Sequence, residues 1–336
     1  MEKVLVTGAT GFIGLHCIDQ LLNQGYKVNG SLRSPERKDE IFKALKKNNT
    51  PTENLNLFNF NLTEDEGWNE GMKGCDYLLH VASPLSVKLH DDDFFVKPAV
   101  AGVKRALKFA KKHKVKKVVL TSSVAAIFES DNDKEYFDET DWSDPEYEKI
   151  NPYAKSKTLA EKAAWEFMES KGLKNKLTTI NPGGVFGDAL DKKGGTSIEY
   201  VRQFLKGKFP AAPKFAVLIS DVKDVAKSHV ACIRNKKVGG RRLIVGKEVK
   251  KLVELSQIMA EAMPEYAKKV PKKELPNFMV KLISYIDSSA KTMIPDLGIM
   301  MQTDSTYAED LLGLKFKGAK DCISENAKSV VKLGLV

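Results

Sequence analysis

Residues 3–14 read K-V-L-V-T-G-A-T-G-F-I-G, and this stretch limits the fold of the chain more tightly than any other. Val4, Leu5 and Val6 form a short apolar run, and Gly8, Gly11 and Gly14 follow at a spacing of three. A buried strand that runs straight into a helix needs such a turn. Gly8 permits the bend, Gly11 lets backbone amides approach a pyrophosphate, and Gly14 lets the new helix pack closely on the sheet. A glycine triplet alone is common turn punctuation, so the context matters. Phe12, Ile13, Ile18, Leu21 and Leu22 supply a helical apolar face, Gly25 ends the helix, and a second apolar strand over 26–32 completes a βαβ unit. The expected dinucleotide contacts here are Gly8, Thr10, Gly11, Phe12, Ile13 and Gly14.

The end of the second strand refines the choice of nucleotide. Residues 31–38 read S-L-R-S-P-E-R-K, with no acid at the strand end. An acid there would hydrogen-bond the ribose 2′-hydroxyl of NAD, whereas an arginine pairs with the 2′-phosphate of NADP. Arg33 is placed for that contact, with Arg37 or Lys38 as the second cation.

Helix and strand then alternate. Strands are expected over 55–62, 77–82, 117–123 and 177–180, and helices from about 91 to 113 and from 152 to 170, the latter stopped by Gly172. The fold class is α/β, a doubly wound parallel sheet. Residues 128–150 are acidic and rich in turn formers, which predicts a surface loop. Beyond 182 short helices dominate, with short strands at 215–219 and 242–245. We therefore expect a nucleotide-binding domain from 1–182 and 215–246, and a smaller, mostly helical substrate domain from 183–214 and 247–336. Phe278, Leu282, Ile283 and Ile286 lie at roughly helical spacing, and core packing is their expected role, ahead of a lid.

With 336 residues, 42% hydrophobic and 29% charged, the composition is that of a soluble globular protein. No apolar run approaches membrane-spanning length, and Met1-Glu2-Lys3 leads directly into a core strand, so neither a membrane anchor nor a signal peptide is expected. Cys17, Cys75, Cys232 and Cys322 lack metal-ligand spacing and read as free buried thiols of a reducing cytoplasm, with no metal site. The net charge of +10 raises nucleic acid as a partner. The lysine clusters at 43–47 and 111–117 carry no interleaved aromatics to stack on bases, and solvated surface is the reading we adopt.

Tyr153 and Lys157 open the long helix at i and i+4, on one face. They follow the hydroxyl-ended strand Thr121-Ser122-Ser123, and loops at the carboxyl ends of neighbouring strands converge on the ligand crevice of such a sheet. Reducing a carbonyl by hydride transfer builds negative charge on its oxygen, so a proton donor and a hydrogen-bonding hydroxyl must sit there. Tyr153, with Lys157 expected to lower its pKa strongly, and Ser123 have the required chemistry.

At these motifs the chain resembles the extended short-chain dehydrogenase/reductases, and within them the branch of dihydroflavonol reductase-like and aldehyde or ketone (carbonyl) reductases. The resemblance rests on V-T-G-A-T-G-F-I-G, S-L-R-S-P, H-V-A-S-P at Ser83-Pro84, V-L-T-S-S-V-A at Ser123, N-P-Y-A-K-S-K-T-L-A-E-K-A-A-W at Tyr153 and I-N-P-G-G-V-F-G at Pro182. It implies Ser123, Tyr153 and Lys157 as the catalytic set, with Tyr153 the acid and Lys157 also holding the nicotinamide ribose. Val81, Ala82 and Ser83 would flank the adenine-side ribose and pyrophosphate, and Pro182 and Gly183 the nicotinamide. Asn61-Leu62 stand where the family usually has Asp-Leu against the adenine.

The implied activity is NADPH-dependent reduction of an aldehyde or ketone by a cytoplasmic monomer or homodimer. A 3β-hydroxysteroid-type dehydrogenase and a non-catalytic NAD(P)-sensing protein are the alternatives. Epimerase or dehydratase relatives carry a tyrosine-glycine shortly after the serine strand, replaced here by Ile127-Phe128-Glu129. Ser83 and Phe128 are the expected substrate contacts. Phe128 takes the place of an asparagine that reads flavonol hydroxyls in the plant enzymes, which predicts poor use of dihydroflavonols.

Overall fold

Seven parallel strands form the central sheet of the computed structural model, which describes residues 1–83, 92–131, 134–192, 195–285, 294, 297–298 and 300–336. In chain order these strands are β1 (Lys3–Thr7), β2 (Lys27–Leu32), β3 (Leu55–Asn59), β4 (Tyr77–His80), β5 (Lys117–Thr121), β6 (Leu177–Pro182) and, after three further strands, β10 (Arg241–Val245). Their spatial order is β10-β6-β5-β4-β1-β2-β3. The order reverses between β1 and β4, and there the carboxyl ends of the strands open a crevice. Val4 pairs with both Val28 and Tyr77, so the first strand is the register reference for both halves.

Alternation along β1 divides the core. Val4 and Val6 pack with Leu15, Ile18 and Leu21 of α1 (Phe12–Asn23) and with Val225 and Ile233 on one face. Leu5 packs with Trp68, Leu78, Leu107 and Ala164 on the other. The first face is completed by α2 (Lys38–Lys47) and α7 (Val222–Arg234), and the second by α3 (Trp68–Met72), α4 (Asp92–Lys112) and α5 (Pro152–Ser170). Burying a Leu or Val side chain contributes roughly 1.5–3 kcal/mol, so this two-sided core holds the sheet by itself. The 43–47 lysine cluster lies at the end of α2, a helix whose buried stripe is Ile41, Ala44 and Leu45 at i, i+3 and i+4.

Apart from α7 and β10, the chain beyond β6 contributes largely to a second layer. Strand β7 (Gly184–Phe186) pairs with β9 (Ala216–Asp221), which pairs antiparallel with β11 (Glu248–Lys251). Two residues of β8 (Ala212–Pro213) pair with β12 (Glu274–Leu275). Phe186, Ile198, Phe204, Ile219, Leu255, Met259 and Ile323 form its core, with α6 (Thr196–Leu205), α8 (Leu252–Ala262) and, after α9 (Asn277–Ile283) and α10 (Thr306–Leu312), α11 (Ala319–Lys332). The expected core role of the 278–286 stripe does not hold for Phe278 and Leu282, while Ile283 is half-buried. Phe278 and Leu282 are 65% and 62% exposed, and Val280 is the buried residue of α9. Ile286 lies outside the described residues.

The 128–150 segment differs from a simple surface loop. Its described residues form no helix or named strand, yet Glu129, Phe137 and Ser143 are buried. Four free cysteines are buried, and burial raises the thiol pKa of Cys75 and Cys232 to about 12. No helix among the described residues is long and apolar enough to cross a membrane.

Candidate active site

One cleft of about 1210 Å³ runs across the carboxyl ends of β1, β2, β4, β5 and β6. At its floor the glycine turn has the geometry the spacing demands. Gly8 has φ +75°, its N–H bonds Ser31 Oγ at 3.1 Å, and the Gly11 N–H returns to Gly8 O at 2.9 Å. A Cβ built on Gly14 would lie 2.2 Å from Gly8 O, so only glycine allows the helix this close to the strand. The N-cap of α1 is Gly11, with no side-chain cap and no acid in the first turn. The orphan N–H groups and the positive helix end therefore face the cleft with no capping side chain or first-turn acid among the described residues. A pyrophosphate fits this cradle by size and by charge.

Every expected cofactor contact except Lys38 lines the cleft: Gly8, Thr10, Gly11, Phe12, Ile13, Gly14, Arg33, Asn61, Leu62, Val81, Ala82, Ser83, Tyr153, Lys157, Pro182 and Gly183. Lys38 is exposed and begins α2. The 3-10 turn at Pro35–Arg37 instead brings Arg37 back to the cleft, with Nη2 3.5 Å from Thr10 O and Nε 2.9 Å from Glu40. The pair of cations at the strand end is thus Arg33 and Arg37. Asn61 Oδ1 already accepts from Thr63 N and Oγ1, each at 2.6 Å, which leaves its amide N–H₂ for a nucleobase. Behind Val81 and Ala82, the Thr7 hydroxyl accepts both of their amides at 3.0 Å and meets His80 Nδ1 at 3.0 Å.

Ser123, Tyr153 and Lys157 also line this cleft. Ser123 lies two residues beyond β5 in extended backbone, where its Oγ accepts the Ala125 N–H at 3.2 Å and keeps its proton to donate. Tyr153 stands in the first turn of α5, directly after Pro152. Asn151 caps that turn through Ala154 N at 2.8 Å and is itself held by Glu129, at 3.0 Å from its N–H and 2.9 Å from its amide. Lys157 Nζ is 5.8 Å from the Tyr153 ring and 3.4 Å from Thr121 O.

The electrostatics depart from the expected lowering of the phenol. Burial pushes Tyr153 above its ordinary pKa, against a lowering hydrogen bond with Ser123. Burial also brings Lys157 down to about 8, against the opposing charge of Glu161. At both residues desolvation outweighs the opposing interaction.

On the substrate side, Phe94, Phe128, Tyr200, Phe209, Phe215, Val217 and Met301 make the lining mostly apolar. Phe128 also packs edge-on to Phe137, with ring centroids 6.4 Å apart. Glu129, Thr7 and His80 were not singled out as site residues by the sequence. The signal for Glu129 was only its place next to Phe128, and its bond to Asn151 spans 22 residues.

A glycine-turn cleft of this build defines a dinucleotide-binding protein of the doubly wound class. The chain belongs to the NAD dependent epimerase/dehydratase family, whose profile matches residues 4–246. It is 31% identical over 337 residues to cinnamoyl-CoA reductase 1 of Petunia hybrida, covering 99% of this chain and 93% of that one. It is 33% identical to the NADPH-dependent methylglyoxal reductase of Saccharomyces cerevisiae, covering 98% of each. The crystal structure of the yeast methylglyoxal/isovaleraldehyde reductase complexed with NADPH superposes with a TM-score of 0.81 at 30% identity, covering 99% of this chain and 100% of that one.

Proposed function

We propose that this protein is an NADPH-dependent reductase that converts an aldehyde or ketone to an alcohol. The observation that carries the reading is the meeting of Ser123, Tyr153 and Lys157 in the same cleft as the glycine turn and an acid-free, arginine-bearing strand end. NADPH, when bound, supplies the hydride. Tyr153 holds its proton at neutral pH and delivers it to the carbonyl oxygen as negative charge develops there. Ser123 donates a hydrogen bond to the same oxygen, and Lys157 holds ribose hydroxyls and offsets the charge.

Arg33 and Arg37 would hold the 2′-phosphate, and Asn61 the adenine. A monomer or homodimer in the cytoplasm belongs to the same reading, and buried free thiols suit a reducing compartment. Reduction is preferred to epimerisation because Phe128 and Glu129, rather than tyrosine-glycine, follow the serine strand, and Glu129 is occupied in holding the start of α5.

Arg33→Ala is expected to weaken NADPH by about 1.5–3 kcal/mol and NADH hardly at all, since the lost bond is to a charged phosphate that only NADPH carries. Fluorescence titration of both cofactors measures this, and equal losses would remove Arg33 from the phosphate site.

Phe128 sets the substrate class. It offers no donor or acceptor, so a hydroxylated aryl ring placed against it leaves a buried hydroxyl unpaired at roughly 1–3 kcal/mol. Apolar aldehydes and small ketones are expected to be used well and dihydroquercetin poorly, with Phe128→Asn moving the ratio of kcat/KM values toward dihydroquercetin. Efficient reduction of dihydroquercetin by the wild type would refute this assignment.

A further inference from the structure

Behind the Ser123 backbone lies a buried ion pair that the reaction as described does not use. Glu161 and Arg242 are 0% and 8% exposed, and Arg242 Nε meets Glu161 Oε1 at 2.7 Å. The carboxylate also accepts from Ser122 Oγ at 2.5 Å, Asn181 Nδ2 at 2.8 Å, Thr179 Oγ1 at 3.0 Å and Trp165 Nε1 at 3.2 Å. It therefore joins α5 to the ends of β5, β6 and β10. Asn181 Nδ2 donates in addition to the Ser123 carbonyl at 3.1 Å, so one amide links Glu161 to the backbone of the serine.

Arg242 carries the linkage onward. It donates to Ala126 O at 3.2 Å, Glu139 O at 3.0 Å and Asp141 O, and stacks 3.7 Å from the Trp142 ring. A pair of buried charges is a poor source of net stability compared with apolar packing, since desolvation offsets most of the attraction. Glu161 lies one helical turn after Lys157, on the same helix face.

We propose that Glu161 is a positioning residue for this reaction, fixing the strand end that carries Ser123 and supplying the negative charge that keeps Lys157 an ammonium. The proposal rests on the reductase reading above. Glu161 itself stays ionised: burial raises it, but the charge of Arg242 and the bonds from Arg242, Ser122 and Asn181 outweigh burial. The other groups facing Lys157 are Tyr153 from α5, the Thr121 carbonyl from β5 and His80 from β4. His80 is held neutral, its pKa pushed down to about 3 by burial and then by Lys157. Glu161 is thus the carboxylate acting on Lys157, while Arg242 from β10 faces Glu161.

The test compares pH profiles of kcat/KM in wild type, Glu161→Gln, the double variant Glu161→Gln/Arg242→Met, and Arg242→Met. The double variant removes both charges, so it folds even if a lone buried guanidinium unfolds Glu161→Gln. The expected result is a loss of at least about tenfold in kcat at neutral pH, with the alkaline limb moved about one pH unit lower in each folded variant lacking Glu161. Arg242→Met, which removes the guanidinium that holds Glu161 ionised, is expected to move that limb in the same direction. A purely structural role would lower activity equally at all pH, and an unmoved alkaline limb in the double variant overturns the proposal. If the wild type itself reduces no carbonyl, the reductase reading fails first, and the two failures stay distinct.

Discussion

Tyr153→Phe is expected to lower kcat by about 10²-fold or more, with NADPH affinity nearly unchanged. The substitution removes one oxygen and keeps the ring that lines the cleft and sits 5.8 Å from Lys157 Nζ. The helix start does not depend on that oxygen, because Asn151 caps it and Glu129 holds Asn151. What disappears is the proton for the developing alkoxide. Burial keeps Tyr153 protonated past its ordinary range, so its own titration does not set the working pH. Lys157 does: its pKa is lowered to about 8, so the ammonium is present below that pH and lost above it. The wild-type profile should accordingly fall on the alkaline side near pH 8, well before a free tyrosine would titrate. Stopped-flow and steady-state turnover check both points. A Tyr153→Phe enzyme that keeps more than about a tenth of wild-type kcat, with chemistry rate-limiting, would remove Tyr153 from the acid role.

The second large effect concerns the glycine turn, whose three glycines do different work. In Gly14→Ala the new Cβ meets Gly8 O at 2.2 Å and Gly8 C at 3.0 Å, both backbone atoms that cannot rotate away. The helix must lift from the strand, and overpacking of this kind costs about 1–3 kcal/mol in stability. The same shift displaces the N–H groups that would meet the pyrophosphate, so NADPH affinity should fall by about tenfold or more. At Gly11 the built Cβ meets only Gly8 O, at 3.2 Å, and otherwise faces the cleft. Gly11→Ala should therefore keep most of its stability while weakening NADPH. Thermal melts with and without cofactor separate the two cases, and a Gly14→Ala protein with wild-type melting temperature and affinity would refute the close-packing account.

The sequence was legible wherever a short-range pattern carried the information. Short apolar runs marked β1, β4, β5 and β6, and the Pro152 start with the Gly172 stop marked α5, which spans Pro152–Ser170 as expected. Helix α2 was obscured because lysines dominate its surface and three buried positions are a weak signal. Strand β9 was visible as a strand, but nothing local tells it to pair with β7 and β11 instead of joining the large sheet.

Within the site, Arg37 and Lys38 were indistinguishable until a 3-10 turn separated them. The Glu161–Arg242 pair spans 81 residues, and its meaning depends on both being buried behind Ser123, which no spacing rule encodes. The sign of the Tyr153 shift was missed for a related reason: a lysine at i+4 suggests attraction, whereas desolvation of the phenol, which depends on the tertiary surroundings, dominates.

The most direct measurement of the central claim is NADPH oxidation by the purified protein against apolar aldehydes, small diketones and aryl ketones, with NADH and Tyr153→Phe run in parallel. The account predicts stoichiometric conversion of at least one such carbonyl to its alcohol with NADPH, slower turnover with NADH and almost none in the variant. No carbonyl-dependent oxidation across the panel, or equal rates with NADH and in Tyr153→Phe, would contradict it.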